Sequence, residues 1–509
     1  MIKSRPAIAK IIIINFGSQY TQLICRRLRE LNILAEVVSK DYQLIDNSVL
    51  GIILSGGPCS ATDTSIEVPD WVWQSGLPVL GICYGMQAMV KVFGGRVDSG
   101  HAREFGLSKV MLQEQATIAI PSGSNVWMSH SDHVQTIPGD FLVAARNQDG
   151  TIVAVENTSK HYYGVQFHPE VTHTEYGKEL LFWFANSVCA CPQDWQEQDI
   201  AKDILAAVQD QVQDEKVLLA VSGGVDSTVL ANLLKQSLGD NFTAVFIDNG
   251  LLRKNEVEQV KCMFAAMGIK LDAIDAKSEF YTALSGVTEP EQKRKIIGKT
   301  FIDVFESYTK DKHDFKWLAQ GTIYSDVIES AGKSNDSADV IKSHHNVGGL
   351  PADMQFKLLE PLAYLFKDEV RSLGRFLGLS DKVLLRHPFP GPGLAVRILG
   401  EVTAEKVALL QEADAIFMDC LADIYNDISQ AFAVLLPVKS VGVVGDQRSY
   451  GFVLALRAVV TTDFMTGKAA HIPYDILCMA SRKIVNSLPQ ISRVVYDITD
   501  KPPSTIEWE

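Results

Sequence analysis

The sequence predicts an α/β protein with two doubly wound parallel-sheet domains, followed by a smaller α+β domain. Two stretches of the 509 residues alternate short apolar strands with helical segments, which is the pattern of a parallel sheet flanked by helices. A cluster rich in proline and glycine then interrupts the alternation. Because the chain is too long for one core, we expect three domains, at 1–190, 191–386 and 387–509.

The first domain begins with a strand from Lys10 to Asn15 and a helix from Tyr20 to Leu31. In a parallel sheet the ligand lies at the carboxyl ends of the strands. The turn 55–58 and Cys83 each follow a predicted strand, so we expect them to share one site. Further strands are predicted at 33–38, 51–54 and 78–82.

Residues 81–85 have the pattern of a nucleophile elbow, with Cys83 on a sharp strand-to-helix turn between two glycines. A helix N-terminus favours a thiolate. His168 and Glu170 supply a base and its orienting group, on the same side of an extended segment. Taken singly, a buried cysteine is usually inert and a histidine usually structural, but the joint pattern predicts an amide-splitting site. The backbone N–H groups of Gly57 and Tyr84 are the candidate oxyanion donors.

Residues 10 to about 187 resemble the class I glutamine amidotransferase domains. The resemblance implies that Cys83 forms a γ-glutamyl thioester and releases ammonia, with His168 as base and Glu170 as its orienter. It also implies that Gln87 contacts the substrate glutamine and that residues 128–133 line its pocket.

The second domain restarts with a strand from Lys216 to Val221, which continues into a phosphate-binding loop at the start of a helix. A Walker lysine is missing, which favours pyrophosphate release over γ-phosphoryl transfer. Asp226 is the candidate ligand of Mg²⁺. The loop resembles the PP-motif of the ATP pyrophosphatase family, which implies ATP as cosubstrate. The candidate ATP-binding residues are Ser222, Gly223, Gly224, Val225, Asp226, Ser227 and Thr228.

Three other segments of this domain are polar. Asp248-Asn249-Gly250 follows the next strand and is expected near the nucleotide. The charged segment 289–298 is either a solvated helix face or a lid whose cations contact phosphates. The Gly-rich loop 344–350 carries two adjacent histidines, which point apart on most backbones and do not predict a metal site.

Across nearly all 509 residues the chain resembles the glutamine-hydrolysing GMP synthetase family, most specifically at 387–394, 445–448 and 501–509. The resemblance implies glutamine and xanthosine monophosphate (XMP) as substrates, GMP as product, ATP and Mg²⁺ as cofactors, and a homodimer formed by the C-terminal domain. It implies a docked rather than disordered tail. The implied XMP contacts are Arg294, Gln447, Lys501, Ile506 and Glu507.

Composition excludes several other classes. The net charge of -14 argues against a nucleic-acid partner, and no apolar run is long enough to span a membrane. Eight cysteines in this length are not a disulfide scaffold, so we expect a cytoplasmic protein. Glutamine-dependent NAD or asparagine synthetases resemble other amidase types. A tRNA sulfur-transfer enzyme would be more basic and lack the glutaminase, and a nucleotide-sensing pseudoenzyme would have a broken triad or phosphate loop.

Overall fold

The computed structural model divides the chain into two compact units, residues 1–200 and 201–509. It describes residues 9–43, 47–58, 60, 68–310, 312, 314–327, 356–444, 446–461 and 466–509, with side chains except at 99–103, 197 and 444. The two-histidine loop 344–350 and Gly445 of the motif 445–448 lie outside the described residues. The predicted domain boundaries at 190 and 386 stay predictions.

The described part of the first unit contains a mixed sheet in the order β2-β1-β3-β4-β9-β8-β6-β5-β7. The strands from β2 to β9 in that order pair in parallel, and β5 to β8 add antiparallel pairs. The strands are β1 Lys10–Ile14, β2 Ala35–Val38, β3 Val49–Leu54, β4 Val79–Ile82, β5 Arg96–Leu112, β6 Asn125–Thr136, β7 Leu142–Asn147, β8 Ile152–Asn157 and β9 Tyr162–Val165. The predicted parallel α/β character is confirmed, and the antiparallel strands enlarge the sheet beyond that prediction.

Burial explains why these segments form a central sheet. All four isoleucines of β1 are completely buried, as β-branched side chains are in a parallel strand covered on both faces. The helix α3 is nearly as buried, since every residue from Tyr84 to Val90 is buried. The helices of this unit are α1 Thr21–Arg29, α2 Asp70–Gln74, α3 Tyr84–Val92 and α4 Gly177–Phe182, which continues as a π-helix at Trp183–Val188. The next helix, α5 Glu197–Val212, lies mostly in the second unit.

The second unit has a fully parallel sheet in the order β12-β11-β10-β13-β14. Its strands are β10 Lys216–Val221, β11 Phe242–Asp248, β12 Leu271–Asp275, β13 Phe315–Ala319 and β14 Lys357–Leu359. The helices around it are α6 Val225–Leu238, α7 Glu256–Ala266, α8 Lys277–Leu284, α9 Pro290–Thr309, α10 Lys367–Phe376 and α11 Asp381–Leu384. This order places β10, and with it the phosphate loop, at the centre of the sheet.

A third sheet lies in the same unit. The long antiparallel hairpin of β15 and β16 pairs with β17, and β18 pairs in parallel with β16. One apolar cluster includes Leu218 of β10, Leu454 of β16, and Leu394, which lies between these strands in the sequence. Residues on both sides of the predicted domain boundary at 386 therefore share a core. The elements are 3-10 helices at Gly393–Arg397 and Ala422–Asp427, α12 Ala404–Cys420, β15 Gln430–Val444, β16 Gln447–Val460, β17 Lys468–Ala469, α13 Tyr474–Ser487 and β18 Ile491–Asp497.

Candidate active site

Cys83 lies between β4 and α3 with a strained backbone, at φ 51° and ψ -107°. The glycines beside it are required by close packing: a Cβ on Gly81 would lie 2.6 Å from the backbone of Gly85, and one on Gly85 would lie 2.3 Å from the carbonyl oxygen of Leu54. The amide of Cys83 donates to the Val165 carbonyl at 2.7 Å. The turn therefore has the geometry of the predicted nucleophile elbow.

His168 and Glu170 meet as the sequence predicts. His168 Nδ1 lies 2.7 Å from Glu170 Oε1, and both side chains are buried. Burial lowers the pKa of His168, but the charge of Glu170 and a hydrogen bond to the Cys83 side chain outweigh it and raise that pKa to about 10. Thr174 Oγ1 donates to the His168 carbonyl at 2.6 Å, which fixes the backbone of the base. The arrangement favours an imidazolium beside the sulfur.

A cavity of about 460 Å³ opens beside Cys83. It brings together most of the predicted residues of this site, because Gly57, Tyr84, Gln87 and His168 also line it. Gly57 leaves no room for a side chain, since a Cβ there would lie 2.9 Å from the Phe16 carbonyl oxygen. Residues 129–132 line the same cavity, as the resemblance implied for 128–133.

Gln166 is a buried residue of this site that the sequence argument did not single out. Its Nε2 lies 3.6 Å from Cys83 Sγ, and its Oε1 accepts a hydrogen bond from Gln87 Nε2 at 3.0 Å. Gln87 Nε2 also donates to the Asp132 carbonyl at 2.8 Å. The strand alternation that relates His168 to Glu170 extends back to Gln166, so this signal was present in the sequence.

The predicted phosphate loop follows β10 and begins α6. Gly223 adopts φ +77°, and Gly224 is the N-cap of the helix. Gly224 N donates to Ser222 Oγ at 3.3 Å, and Ser222 Oγ lies 3.3 Å from Ser227 Oγ. Thr228 Oγ1 donates to the Gly224 carbonyl at 2.8 Å. These contacts shape a loop whose helix N-terminus is suited to an anion.

Asp226, the predicted Mg²⁺ ligand, forms an ion pair with Lys367 at the start of α10. Lys367 Nζ lies 2.7 Å and 2.6 Å from the two carboxylate oxygens. Arg386 also reaches the loop, donating to the Gly223 carbonyl at 3.1 Å. Neither cation was predicted from the sequence, because each lies more than 130 residues from the loop and no local pattern marks it.

The charged segment 289–298, which begins α9, is not a fully solvated face, and the alternative of a lid whose cations contact phosphates stays a prediction. Lys293 is completely buried, and its Nζ donates to the carbonyls of Ala395 at 3.2 Å and Ile398 at 2.7 Å and to Glu509 Oε2 at 2.5 Å. Burial lowers the pKa of Lys293, although Glu509 opposes the shift. Arg294 is exposed and contacts the main-chain oxygen of Glu509.

The C-terminal tail is docked, as expected. Ile506 packs in an apolar cluster with Phe432, while Arg397 binds both carboxylate oxygens of Glu507 at 2.8 and 3.0 Å. Arg457 forms an ion pair with Asp497 at 3.2 Å and bonds to the tail at Ser504 and Thr505. The side chains of both arginines are completely buried. The tail thus supplies counter-ions to the core of its unit.

The five implied XMP contacts do not form a single cluster within one chain. Lys501 exchanges two backbone hydrogen bonds with Gly467, close to the docked tail. Gln447 lies at the exposed tip of the β15–β16 hairpin, ten positions along β16 from Arg457. At the rise of a β-strand this separation is about 33 Å. Arg294 contacts the tail at Glu509 and Glu507 is part of the tail, whereas Gln447 lies far from it along β16.

Three protein-family descriptions match successive parts of the chain. They are Glutamine amidotransferase class-I at residues 12–188, PP-loop domain at 196–290 and GMP synthase C terminal domain at 420–508. A GMP synthase (glutamine-hydrolyzing) of Alkalilimnicola ehrlichii is 53% identical over 98% of this chain and 98% of its own length. The chain belongs to the glutamine-hydrolysing GMP synthase family.

Other members of the GMP synthase family are similar to the same extent. The protein of Francisella philomiragia is 53% identical over 98% of this chain and 99% of its own length, and that of Aliivibrio salmonicida is 52% identical over 98% of each. Cys83 and His168 fall within the amidotransferase match and Asp226 within the PP-loop match. Arg294 lies outside all three matched ranges.

No helix in the described part of the chain combines the length and apolarity needed to cross a membrane.

Proposed function

We propose that the chain hydrolyses glutamine at Cys83 and uses the ammonia, together with ATP, to convert XMP to GMP. The strongest support is that two sites occur in one chain. One is a cysteine–histidine–glutamate triad beside a cavity of about 460 Å³, and the other is a phosphate-binding loop at the N-terminus of a helix. Family membership adds the pairing of these two chemistries.

In the first half-reaction the Cys83 thiolate attacks the side-chain carbonyl of glutamine. The backbone N–H groups of Gly57 and Tyr84 stabilise the oxyanion, and Gln87 contacts the bound glutamine. His168, held by Glu170, protonates the departing ammonia and then takes a proton from the water that hydrolyses the thioester. The raised pKa of His168 suits the first of these transfers.

In the second half-reaction the O2 oxygen of XMP attacks the α-phosphorus of ATP and pyrophosphate departs. Ammonia then attacks C2 and displaces AMP, which yields GMP. Residues 222–228 hold the ATP phosphates through backbone N–H groups and hydroxyls, and Lys367 and Arg386 bring positive charge to the loop. Excluding water protects the adenylate from hydrolysis.

Mg²⁺ fits this site through Asp226. An ion held mainly by phosphate oxygens and water needs only one protein carboxylate, and Asp226 is a half-buried carboxylate at the start of the loop helix. Mg²⁺ would neutralise charge on the pyrophosphate. Lys367 already neutralises Asp226, so we propose that Lys367 turns to the phosphates when the ion binds.

We also propose a homodimer formed by the C-terminal region. Val441, Val443 and Tyr450 lie on one face of the β15–β16 hairpin, since Val441 pairs with Tyr450 and strand residues alternate between faces. Their exposed fractions are 45%, 74% and 65%, which makes an uncovered apolar stripe. We further propose an XMP site formed by Arg294, Gln447, Lys501, Ile506 and Glu507. The division into three domains, the doubly wound sheets of the first two and a cytoplasmic location are also proposals.

The test is pyrophosphate and GMP formation by the full chain with ATP, Mg²⁺ and XMP, supplied with either glutamine or ammonium chloride. GMP from both nitrogen sources is expected, with one pyrophosphate per GMP. Inosine monophosphate and aspartate serve as alternative acceptors. Pyrophosphate release with either of them, and none with XMP, would contradict the proposed substrate.

A further inference from the structure

We propose that Gln166 stabilises the thiolate of Cys83, with its amide held in the donating orientation by Gln87. This deepens the proposed glutaminase and rests on it, because it assigns a role to a residue outside the triad. The starting observation is a continuous chain of three contacts that ends at the sulfur: Asp132 carbonyl to Gln87, Gln87 to Gln166, and Gln166 to Cys83 Sγ.

The direction of all three hydrogen bonds follows from the first contact, the one between Gln87 and the Asp132 carbonyl. A main-chain carbonyl only accepts, so the side-chain atom of Gln87 that lies 2.8 Å from Asp132 O is the amide nitrogen. The same nitrogen lies 3.0 Å from Gln166, which must present its oxygen there. The other end of the Gln166 amide, 3.6 Å from the sulfur, is therefore the nitrogen. Gln166 can only donate to Cys83.

A donor that cannot accept discriminates between the two forms of the cysteine. A thiolate is a stronger acceptor than a thiol, so the contact favours the charged sulfur. Gln166 is completely buried, so water does not weaken the contact. The backbone amide of Gln166 donates to the Val153 carbonyl at 2.8 Å, which fixes the side chain's origin.

The register of the sheet explains why Gln166 and His168 both reach the sulfur. Ile82 pairs with Val165 in the β4–β9 ladder, so Cys83 lies opposite the residue that follows β9. Gln166 and His168 are two positions apart on an extended segment and point to the same side. One residue therefore takes the thiol proton, and the other solvates the charge left behind.

The variants at Gln166 leave the other titratable residues around Cys83 unsubstituted. These include Tyr20 and Tyr84, His168 and Glu170 beyond β9, His130 and Asp132 on β6, and Glu104 on β5.

The test compares Gln166→Met, which keeps the volume but removes the donor, with Gln166→Glu, which places a carboxylate oxygen near the sulfur. The rate of Cys83 alkylation by iodoacetamide is followed against pH by mass spectrometry of the peptide that contains Cys83. Wild type and the exposed-site variant Gln113→Met should share one profile midpoint. The midpoint should move up by about one pH unit in Gln166→Met, which is about a tenfold slower reaction on the rising limb, and further in Gln166→Glu.

Gln87→Met removes the orienting donor and should shift the midpoint in the same direction, so the proposal stays testable if Gln166→Met does not fold. With glutamine as substrate, the kcat of Gln166→Met should fall about tenfold while its KM changes less than about twofold. Unshifted midpoints in the folded Gln166 variants would overturn the proposal. If the Gln166 variants shift the midpoint but the wild-type chain has no glutaminase activity, the proposed function is contradicted and the role of Gln166 stands.

Discussion

At Cys83 the shape of the backbone and the chemistry of the side chain have the same origin. The residue keeps a positive φ because the flanking glycines let α3 approach β3 and β4 without a steric clash. That approach aims the sulfur at His168 and at the cavity. A local pattern of five residues predicted this turn because its cause is local.

Burial lowers the pKa of His168, and the Glu170 charge together with the Cys83 side chain outweighs burial and raises that pKa from 6.5 to about 10; Glu170→Gln removes this charge. A raised pKa stabilises the fold fully below the unfolded value of 6.5, and the contribution is lost as pH rises to about 10. The loss of stability in Glu170→Gln should therefore be larger at pH 6 than at pH 10. Thermal unfolding at both pH values measures it, with exposed Glu114→Gln as control. If the difference in stability between wild type and Glu170→Gln is not smaller at pH 10 than at pH 6, the proposed ion pair is contradicted.

Asp226→Asn should slow adenylation about ten- to a hundredfold with either nitrogen source, because a charged partner of the phosphate site is lost. Pyrophosphate release in single-turnover mixtures is the measurement. Asp240→Asn is a matched control, since Asp240 forms a comparable ion pair with Lys235 at 2.5 Å, at the opposite end of α6. Equal rates in the Asp226 variant and wild type would remove Asp226 from the site.

At the scale of elements, the sequence predicted the parallel strands of the first unit closely and missed its antiparallel strands β5 to β8. β4 was expected at 78–82 and lies at Val79–Ile82, because a buried apolar run bounded by turns marks a strand. The hairpin of β5 and β6 has no such run, since the residues of β6 alternate between buried and partly exposed positions. The cations Lys367 and Arg386 were missed for a different reason, because each lies far along the chain from the loop that it contacts.

The apolar stripe on the β15–β16 hairpin should hold the dimer together. Val443→Glu places a charge on its most exposed member and should convert the dimer to monomer at micromolar concentration. Light scattering gives the mass of each form. Thr282→Glu adds the same charge at an exposed position of α8 and should leave the dimer intact. A monomeric wild type would contradict the proposed dimer.

Lys501→Ala should raise the Michaelis constant for XMP about ten- to a hundredfold, since a charge-assisted contact is worth about 1.5–3 kcal/mol. XMP titration at saturating ATP and ammonium isolates this contact. The exposed residue Lys483 of α13 offers a control, as Lys483→Ala removes the same charge from the same unit. An unchanged titration would mean that Lys501 does not bind XMP.

At the scale of the whole molecule, two reaction centres belong to two compact units. Cys83→Ala should abolish GMP formation from glutamine and leave synthesis from ammonium within about twofold of wild type, because the thioester forms only on the sulfur. Parallel assays with each nitrogen source measure this. Cys262→Ala, at an exposed cysteine of the second unit, should retain both activities. Equal losses from both sources in Cys83→Ala would contradict separate centres.

The docked tail sets a condition on the order in which the second unit is made. Lys293, Arg397 and Arg457 lie in its interior, and their carboxylate partners are Glu509, Glu507 and Asp497. Breaking a buried pair by removing one partner costs about 3–5 kcal/mol. A nascent chain on the ribosome holds three such cations before their partners have been synthesised. Folding of this unit is therefore completed only after residues 497–509 have left the exit tunnel.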